Sequence, residues 1–243
     1  MILSSTTPQR LYLMQLGTST IPTTPPTPGS AGCYLVQTSD GKNILIDSGL
    51  PANYTPPPGT PPSENEKNVL EHLADLGLHP DDIDFLICTH FDVDHAGYHD
   101  AFTKAEFIVQ REHYALARSG HPRYTTARVH WDHPALRYRL TDGDIELLPG
   151  LTLIETSGHA PGHQSVLVHL PQTGPMLLAI DAVVLERLFT PDRKAWPLEN
   201  EEQLRASTSK LRDLVECEHV ALVVFGHDGL QWQTLKKAPA YYE

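Results

Sequence analysis

A short apolar run that ends in a burst of histidine and aspartate constrains this chain more than any other stretch. Residues 83–88 are apolar apart from one aspartate, and Thr-His-Phe-Asp-Val-Asp-His-Ala-Gly follows them directly. This pattern predicts a buried strand whose C-terminal end carries the polar side chains of a site. Alternate positions at a strand end share a face, so His90 and Asp92 are predicted to point the same way. Asp94 and His95 lie on the turn beyond, where they can serve a second ion.

Three more candidate ligands follow apolar runs further along the chain: His159, Asp181 and His227. Each alone is more typical of a turn residue or a hydrogen-bonded histidine, and the first motif alone could be a polar loop. Together they predict a metal site with nitrogen and carboxylate ligands and no thiolate. Such a set suits zinc first, with manganese, iron or cobalt as alternatives, and one carboxylate can bridge two ions.

Composition narrows the range of partners. The formal charge of -12 and the lack of a Lys/Arg cluster argue against a nucleic acid partner. Cys33, Cys88 and Cys217 stand singly, as buried free thiols do. The sequence shows neither a signal segment nor a membrane-spanning run, which predicts a cytoplasmic protein without a membrane partner. Its length fits one domain over residues 1–243, as a monomer or a homodimer.

Periodicity predicts strands that alternate with a few helices. The first strand is expected to end at Gly17, before a proline-rich loop over 22–28, and residues 63–66 resemble the start of a helix that Pro80 ends. The remaining predicted strands are 33–37, 43–47, 83–88, 106–110, 145–148, 151–155, 166–170, 176–180 and 220–225, and the other helices are 111–118 and 201–215. Two sheets packed face to face with helices outside would accommodate this order, which is an α+β fold.

Three further positions are candidates for supporting roles. Asp47 ends a predicted strand and could orient a ligating histidine, although an ordinary turn aspartate explains it equally well. His163 is a similar candidate beside the site. Residues 119–135 hold several aromatic and imidazole groups, including Tyr124, and are either a lid over the substrate or a surface loop.

The motifs resemble those of the metallo-β-lactamase superfamily and, within it, are most similar to the N-acyl homoserine lactonases that quench quorum sensing. The resemblance rests on Asp-Ser-Gly at 47–49, the motif at 89–97, Gly-His through Gly-His-Gln-Ser at 158–165, Ala-Ile-Asp-Ala at 179–182 and Gly-His-Asp at 226–228. It implies an αββα sandwich of two mixed sheets, with two divalent ions in the cleft. The first ion would be held by His90, Asp92 and His159, and the second by Asp94, His95 and His227, with Asp181 bridging.

The chain departs from the family pattern at two positions. Asp92 stands where the family usually has a second histidine, and Val184 stands where these lactonases carry a tyrosine that helps to polarise the substrate carbonyl. Val184 is therefore predicted to form an apolar wall for an acyl chain, with Tyr124 as a candidate donor in place of the missing phenol.

The resemblance implies hydrolysis of a small-molecule lactone or ester. A hydroxide shared by the two ions would attack the carbonyl, and Asp94 would move the proton while Asp181 bridges. The alternatives are a thioester hydrolase of the glyoxalase II kind, a β-lactamase and a metal-binding protein of the same fold without catalytic activity.

Overall fold

The computed structural model describes residues 6–56 and 63–243, which form two mixed sheets. The larger sheet has seven strands in the order β4-β1-β2-β3-β5-β6-β7. Its strands are β1 (Pro8–Ile21), β2 (Thr27–Thr38), β3 (Asn43–Ile46), β4 (Ser63–Asn65), β5 (Phe85–Ile87), β6 (Glu106–Gln110) and β7 (Arg137–Thr141). Strands β3, β5, β6 and β7 are parallel, and the pairs β1–β2, β2–β3 and β1–β4 are antiparallel.

The second sheet has five strands in the order β12-β11-β10-β9-β8. They are β8 (Ile145–Leu148), β9 (Leu151–Glu155), β10 (Gln164–Leu170), β11 (Gly174–Ile180) and β12 (Leu222–Phe225). Only the pair β11–β12 in this sheet is parallel. The carboxyl ends of β11 and β12 therefore meet at one edge, which brings the residues that follow them together.

Five helices flank the sheets in the described residues. They are α1 (Val69–Asp75), α2 (Arg111–Arg118), α3 (Arg128–Trp131), α4 (Glu201–Cys217) and α5 (Gly229–Trp232). Within residues 6–56 and 63–243, every helix is too short or too polar to span a bilayer.

Three layers of buried side chains hold the sheets and helices together. Between the two sheets, residues such as Leu13 and Ile46 meet Val166 and Leu178. A second cluster packs α1, α2 and α3 on the outer face of the larger sheet, and a third packs Leu211 of α4 on the outer face of the smaller sheet. The order helix, sheet, sheet, helix confirms the predicted αββα sandwich.

The hairpin of β1 and β2 is longer than the sequence predicts. β1 passes through Gly17 and ends at Ile21, and β2 already begins at Thr27, so only residues 22–26 connect them. The register of β1 on β2 shifts between Gln15 and Gly17, so the strand continues through the glycine. The hairpin can therefore extend beyond the sheet toward the candidate site.

Two other predictions about local structure were wrong. Ser63–Asn65 is a short strand on β1, and the helix begins only at Val69. The N-cap of that helix is Asn68, whose side chain accepts from the amide of Glu71 while the Glu71 carboxylate accepts from the amide of Asn68. Of the two alternatives for residues 119–135, the surface loop is wrong, because the segment contains α3 and buries Trp131 against Phe91, with ring centroids 4.9 Å apart.

Candidate metal centre

The seven predicted ligands converge at one end of the sandwich, where strands of both sheets end. The motif that starts at His90 follows β5, His159 lies in the turn between β9 and β10, Asp181 follows β11 directly, and His227 lies two residues beyond β12. These residues include two groups of three in which one ligand atom from each residue lies within 4.8 Å of the others, and either group could hold a metal ion. One group is His90, His159 and Asp181, and the other is Asp94, His95 and His227.

Asp47 orients two of the four histidines. Its Oδ2 accepts from His95 Nδ1 at 2.8 Å and from the Thr89 hydroxyl at 2.6 Å. The same hydroxyl oxygen lies 3.0 Å from His90 Nδ1, whose N–H can donate to it. One buried carboxylate therefore fixes the rings of His95 directly and His90 through Thr89, with both Nε2 atoms facing the site.

The other two histidines are oriented from different parts of the chain. His159 Nδ1 lies 2.9 Å from Glu199 Oε1, and the second oxygen of Glu199 accepts from the amide of Trp196 at 2.6 Å. His227 Nδ1 lies 2.9 Å from the carbonyl oxygen of Ser30 in β2. All four imidazoles thus donate from Nδ1, so Nε2 is the atom that each ring presents to the site.

Asp181 lies at the centre of the four histidines. Its Oδ2 is 3.8 Å from His90 Nε2, 3.6 Å from His95 Nε2 and 3.3 Å from His159 Nε2. Its Oδ1 is 3.1 Å from the Nε2 of His227. A carboxylate that reaches all four imidazoles lies where a group bridging two ions would have to be.

The buried atoms of the site fit metal ions. Among the described residues, His90 Nε2 and His95 Nε2 have no hydrogen-bond partner although both are buried. A buried polar atom without a partner costs free energy unless something occupies it. Imidazole nitrogen and carboxylate oxygen without thiolate form the donor set expected for zinc and related divalent ions.

The pKa values of the site reflect the same clustering of carboxylates. Burial opposes the charged form of His159, but Asp181, Asp92 and Glu199 outweigh it and raise the pKa of His159 to about 9. Burial likewise opposes charge on His227, and Asp181 and Asp94 raise its pKa to about 9. The carboxylates therefore favour a cation at these Nε2 atoms, and a divalent ion would replace the protons.

Asp92 lies beside the first group and carries an unpredicted partner. Its Oδ2 is 3.3 Å from His90 Nε2 and 3.2 Å from His159 Nε2. Arg123 from the 119–135 segment donates to both carboxylate oxygens, from Nε to Oδ1 at 2.7 Å and from Nη2 to Oδ2 at 2.5 Å. Asp92 is therefore close enough to serve an ion while it is paired with a cation.

The remaining predicted residues lie in the protein interior. His163 packs beside His90, with ring centroids 5.1 Å apart, and its Nδ1 lies 2.9 Å from the Thr156 hydroxyl. Tyr124 is 1% exposed and packs on the ring of His113, and its hydroxyl has no hydrogen-bond partner among the described residues. Substrate contact by Tyr124 stays a prediction.

Val184 is 1% exposed and packs with Ile21 and Leu185, close to Trp196. Val184→Tyr adds a large side chain to this cluster, so we expect it to destabilise the fold by about 1–3 kcal/mol. The measurement is the melting temperature, with Val129→Tyr as the control because Val129 is 71% exposed. An unchanged melting temperature would mean that the new side chain leaves the cluster, as the predicted substrate contact at this position requires.

His113 joins two loops that carry candidate ligands. Its Nε2 accepts from the amide of Phe91 at 2.8 Å, and its Nδ1 donates to the carbonyl of Pro161 at 2.8 Å. This pair of bonds requires the neutral imidazole, and burial lowers the pKa of His113 to about 4. His113 therefore positions the metal motif relative to the loop that carries His159.

Acid should reduce the stability that His113 contributes even before His113 binds a proton in the folded protein. The imidazole of the unfolded chain has a pKa of about 6.5, so it binds its proton first as the pH falls. The stabilisation is thus complete above about pH 6.5 and decreases toward pH 4, by up to about 3 kcal/mol. We expect the melting temperature to fall less between pH 7 and pH 5 in His113→Gln than in the wild type. Equal slopes, or the same change in the surface control His133→Gln, would contradict this expectation.

Two functional candidates were missed at the level of sequence, Arg123 and Glu199. Neither follows an apolar run, and their partners Asp92 and His159 lie 31 and 40 residues away in the chain. No local pattern marks them. Proximity in the fold alone shows their connection to the site.

Comparison with known proteins agrees with this architecture. A family model described as the metallo-beta-lactamase superfamily matches residues 26–227. An N-acyl homoserine lactonase from Bacillus sp is 33% identical over 220 residues, which covers 86% of this chain and 85% of that protein. The N-acyl homoserine lactonase AttM of Rhizobium radiobacter is 36% identical over 194 residues, covering 75% of this chain and 72% of that protein.

Solved structures give the same result. A crystal structure of a quorum-quenching N-acyl homoserine lactone lactonase superimposes with a TM-score of 0.86 at 30% identity, and covers 98% of this chain and 100% of its own. An N-acyl homoserine lactone hydrolase with the product N-hexanoyl-L-homoserine at its catalytic metal centre superimposes with a TM-score of 0.85 at 29% identity, covering 97% and 100%. With the family model matched from residue 26 to residue 227 and the sandwich and its cluster of ligands in place, the chain belongs to the metallo-beta-lactamase superfamily.

Proposed function

We propose that this protein is a metal-dependent hydrolase that opens the ring of N-acyl homoserine lactones. The observation that carries the proposal is the position of Asp181, within 3.1–3.8 Å of the Nε2 atoms of four histidines. This arrangement supports a centre of two divalent ions, for which zinc is the proposed metal. The names of the relatives supply the substrate class.

Under this proposal His90, Asp92 and His159 would hold the first ion, Asp94, His95 and His227 would hold the second, and Asp181 would be shared by both. Bound divalent ions would supply Lewis acidity, which activates both the lactone carbonyl and the attacking water. The protein's own groups orient the ligands. Asp47, Glu199 and the Ser30 carbonyl keep each imidazole in the tautomer that presents Nε2.

Asp94 is the proposed proton carrier. Its carboxylate is 32% exposed, more than any other carboxylate of the set, and its Oδ2 lies 3.6 Å from His227 Nε2. It can therefore accept a proton from water as the new carbon–oxygen bond forms. It then passes that proton to the ring oxygen as the ester bond breaks, which gives the hydroxy acid.

A cavity of about 430 Å³ adjoins Asp94 and His227 and could take the acyl chain. Its apolar wall is formed by Ile21, Pro22, Leu50, Tyr54 and Val93. Val184 is not among these residues but packs behind Ile21. Because this wall adjoins Asp94, an acyl chain bound against it would bring the lactone carbonyl close to the proposed proton carrier.

The decisive experiment combines metal analysis with a substrate screen. We expect purified protein to contain two equivalents of zinc and to release acid from N-hexanoyl homoserine lactone, measured by pH-stat titration. Exhaustive chelation should abolish this activity and lower the melting temperature together, because ions that bind only the folded chain stabilise it. Hydrolysis of a thioester or a β-lactam with no detectable lactone hydrolysis would contradict the substrate class. Full activity after chelation would contradict the metal centre.

The cavity also predicts a preference for longer acyl chains. Each buried methylene contributes about 0.8 kcal/mol, or about a fourfold rise in kcat/KM, until the cavity is filled. We expect kcat/KM to increase from N-butanoyl through N-hexanoyl to N-octanoyl homoserine lactone. Leu50→Ser should flatten this series without altering the zinc content. A flat series in the wild type would mean that the acyl chain lies elsewhere.

A further inference from the structure

Arg123 occupies an unusual position for a cation, because it is bound to two of the proposed ligands of the first ion. Besides its two bonds to Asp92, its Nη2 donates to His159 Nε2 at 2.6 Å and its Nη1 to the His159 carbonyl at 2.6 Å. The side chain is only 13% exposed. The guanidinium is therefore built into the first site and is not part of the surface.

The two partners of Arg123 differ in whether they can also bind an ion. With Nδ1 donating to Glu199, the lone pair of the neutral His159 ring is on Nε2, and Arg123 Nη2 lies 2.6 Å from that atom. An ion at His159 needs that same lone pair. Each oxygen of Asp92 has a second lone pair, so Asp92 can bind an ion and keep its arginine. Arg123 thus competes with an ion for His159 but not for Asp92.

The second site has no such competitor. Among the described residues, no lysine or arginine lies within ion-pair distance of Asp94 or Asp181, whose ionic partners there are all histidines. An ion can reach Asp94, His95 and His227 without displacing a fixed positive charge. Binding an ion at the first site therefore costs more free energy than binding one at the second, although Asp181 would be shared by both.

We infer that Arg123 is a resident cation of the first site, so that the two ions bind in a fixed order. The ion at Asp94, His95 and His227 binds first and more tightly. The ion at His90, Asp92 and His159 binds second, because the guanidinium must leave His159 while it remains on Asp92. Asp92 and Arg123 together carry no net charge, and in this respect they equal the neutral histidine that the family usually has at position 92. This inference rests on the proposed two-ion centre.

The test is a zinc titration of the metal-depleted protein against a chromophoric chelator. We expect two dissociation constants in the wild type that differ by at least tenfold. Arg123→Gln removes the charge but keeps a polar side chain, and we expect it to tighten the weaker site by about ten- to hundredfold, the equivalent of a hydrogen bond to a charged group. The tighter site should not change. Arg128→Gln is the matched control, because Arg128 lies in the same segment and pairs with Asp132 at the surface.

The outcomes separate this inference from the function on which it depends. Two equal constants in the wild type would overturn the inference without any variant. A weaker site that is unchanged or loosened in Arg123→Gln would overturn it as well, since Arg123 would then only support Asp92. If Arg123→Gln does not fold, the two zinc dissociation constants of the wild type still test the inference. Fewer than two zinc ions per wild-type chain would instead contradict the proposed centre itself.

Discussion

Asp181→Asn is expected to reduce kcat/KM for N-hexanoyl homoserine lactone by at least about a thousandfold. Outer partners of a metal ligand typically contribute ten- to hundredfold, and Asp181 contacts all four histidines itself. The amide has nearly the same shape as the carboxylate but lacks the negative charge that two cations would share. The loss should therefore appear in metal binding and in turnover alike.

The measurement pairs kinetics with zinc content for Asp181→Asn and for Asp192→Asn. Asp192 has an exposed side chain, so its amide variant should keep two zinc ions and wild-type kinetics. We expect the Asp181 variant to retain at most one ion and to gain less thermal stability from added zinc. Two tightly held ions with near-normal kcat/KM in this variant would show that Asp181 does not bridge.

Asp47→Asn should weaken metal binding or activity by about ten- to hundredfold, although Asp47 lies outside the two ligand groups. One oxygen of Asp47 accepts from both His95 and Thr89, and the Thr89 hydroxyl in turn accepts from His90. Replacing the carboxylate by an amide leaves a single acceptor oxygen and removes the charge. Both rings should then lose part of their orientation at once.

Asparagine is the informative replacement because the backbone at Asp47 has φ of 59°, in the left-handed region. Asparagine tolerates that conformation better than most residues, so the variant reports on the side chain and not on backbone strain. The measurement is zinc affinity by chelator competition together with the melting temperature of the metal-depleted protein. A loss of stability in that protein with unchanged zinc affinity would assign Asp47 to the fold alone.

The parts of the fold that could be predicted are those with a strong local signal. The strand before His90 and the strands that precede Asp181 and His227 are apolar runs, and β6 and α2 have the bounds that their periodicity indicates. Ligands at strand ends follow from this, because chain direction decides which end of a sheet collects them. The arrangement of seven candidates around one centre was thus accessible from the sequence.

The parts that could not be predicted depend on distant partners. β7 has arginines at alternate positions and lies at the edge of the sheet, so its polar residues obscured a strand that pairing with β6 creates. The Ser63 stretch resembles a helix start, but pairing with β1 outweighs that local preference. Arg123 could not be predicted for the same reason, since no residue near it in the sequence indicates that it pairs with Asp92.

The long β1–β2 hairpin connects the proposed acyl-chain cavity with the proposed metal centre. Its β1 arm supplies residues 17–21 of the cavity wall, and its β2 arm carries the Ser30 carbonyl that orients His227. The other three imidazoles are held by side chains, which point substitutions can remove, whereas this one is held by a backbone carbonyl. Because Thr18 pairs with Ser30, reshaping the wall through the hairpin also shifts that carbonyl. Widening the cavity through Tyr54 would leave Ser30 in place, whereas substitutions in the hairpin would also change metal binding at His227.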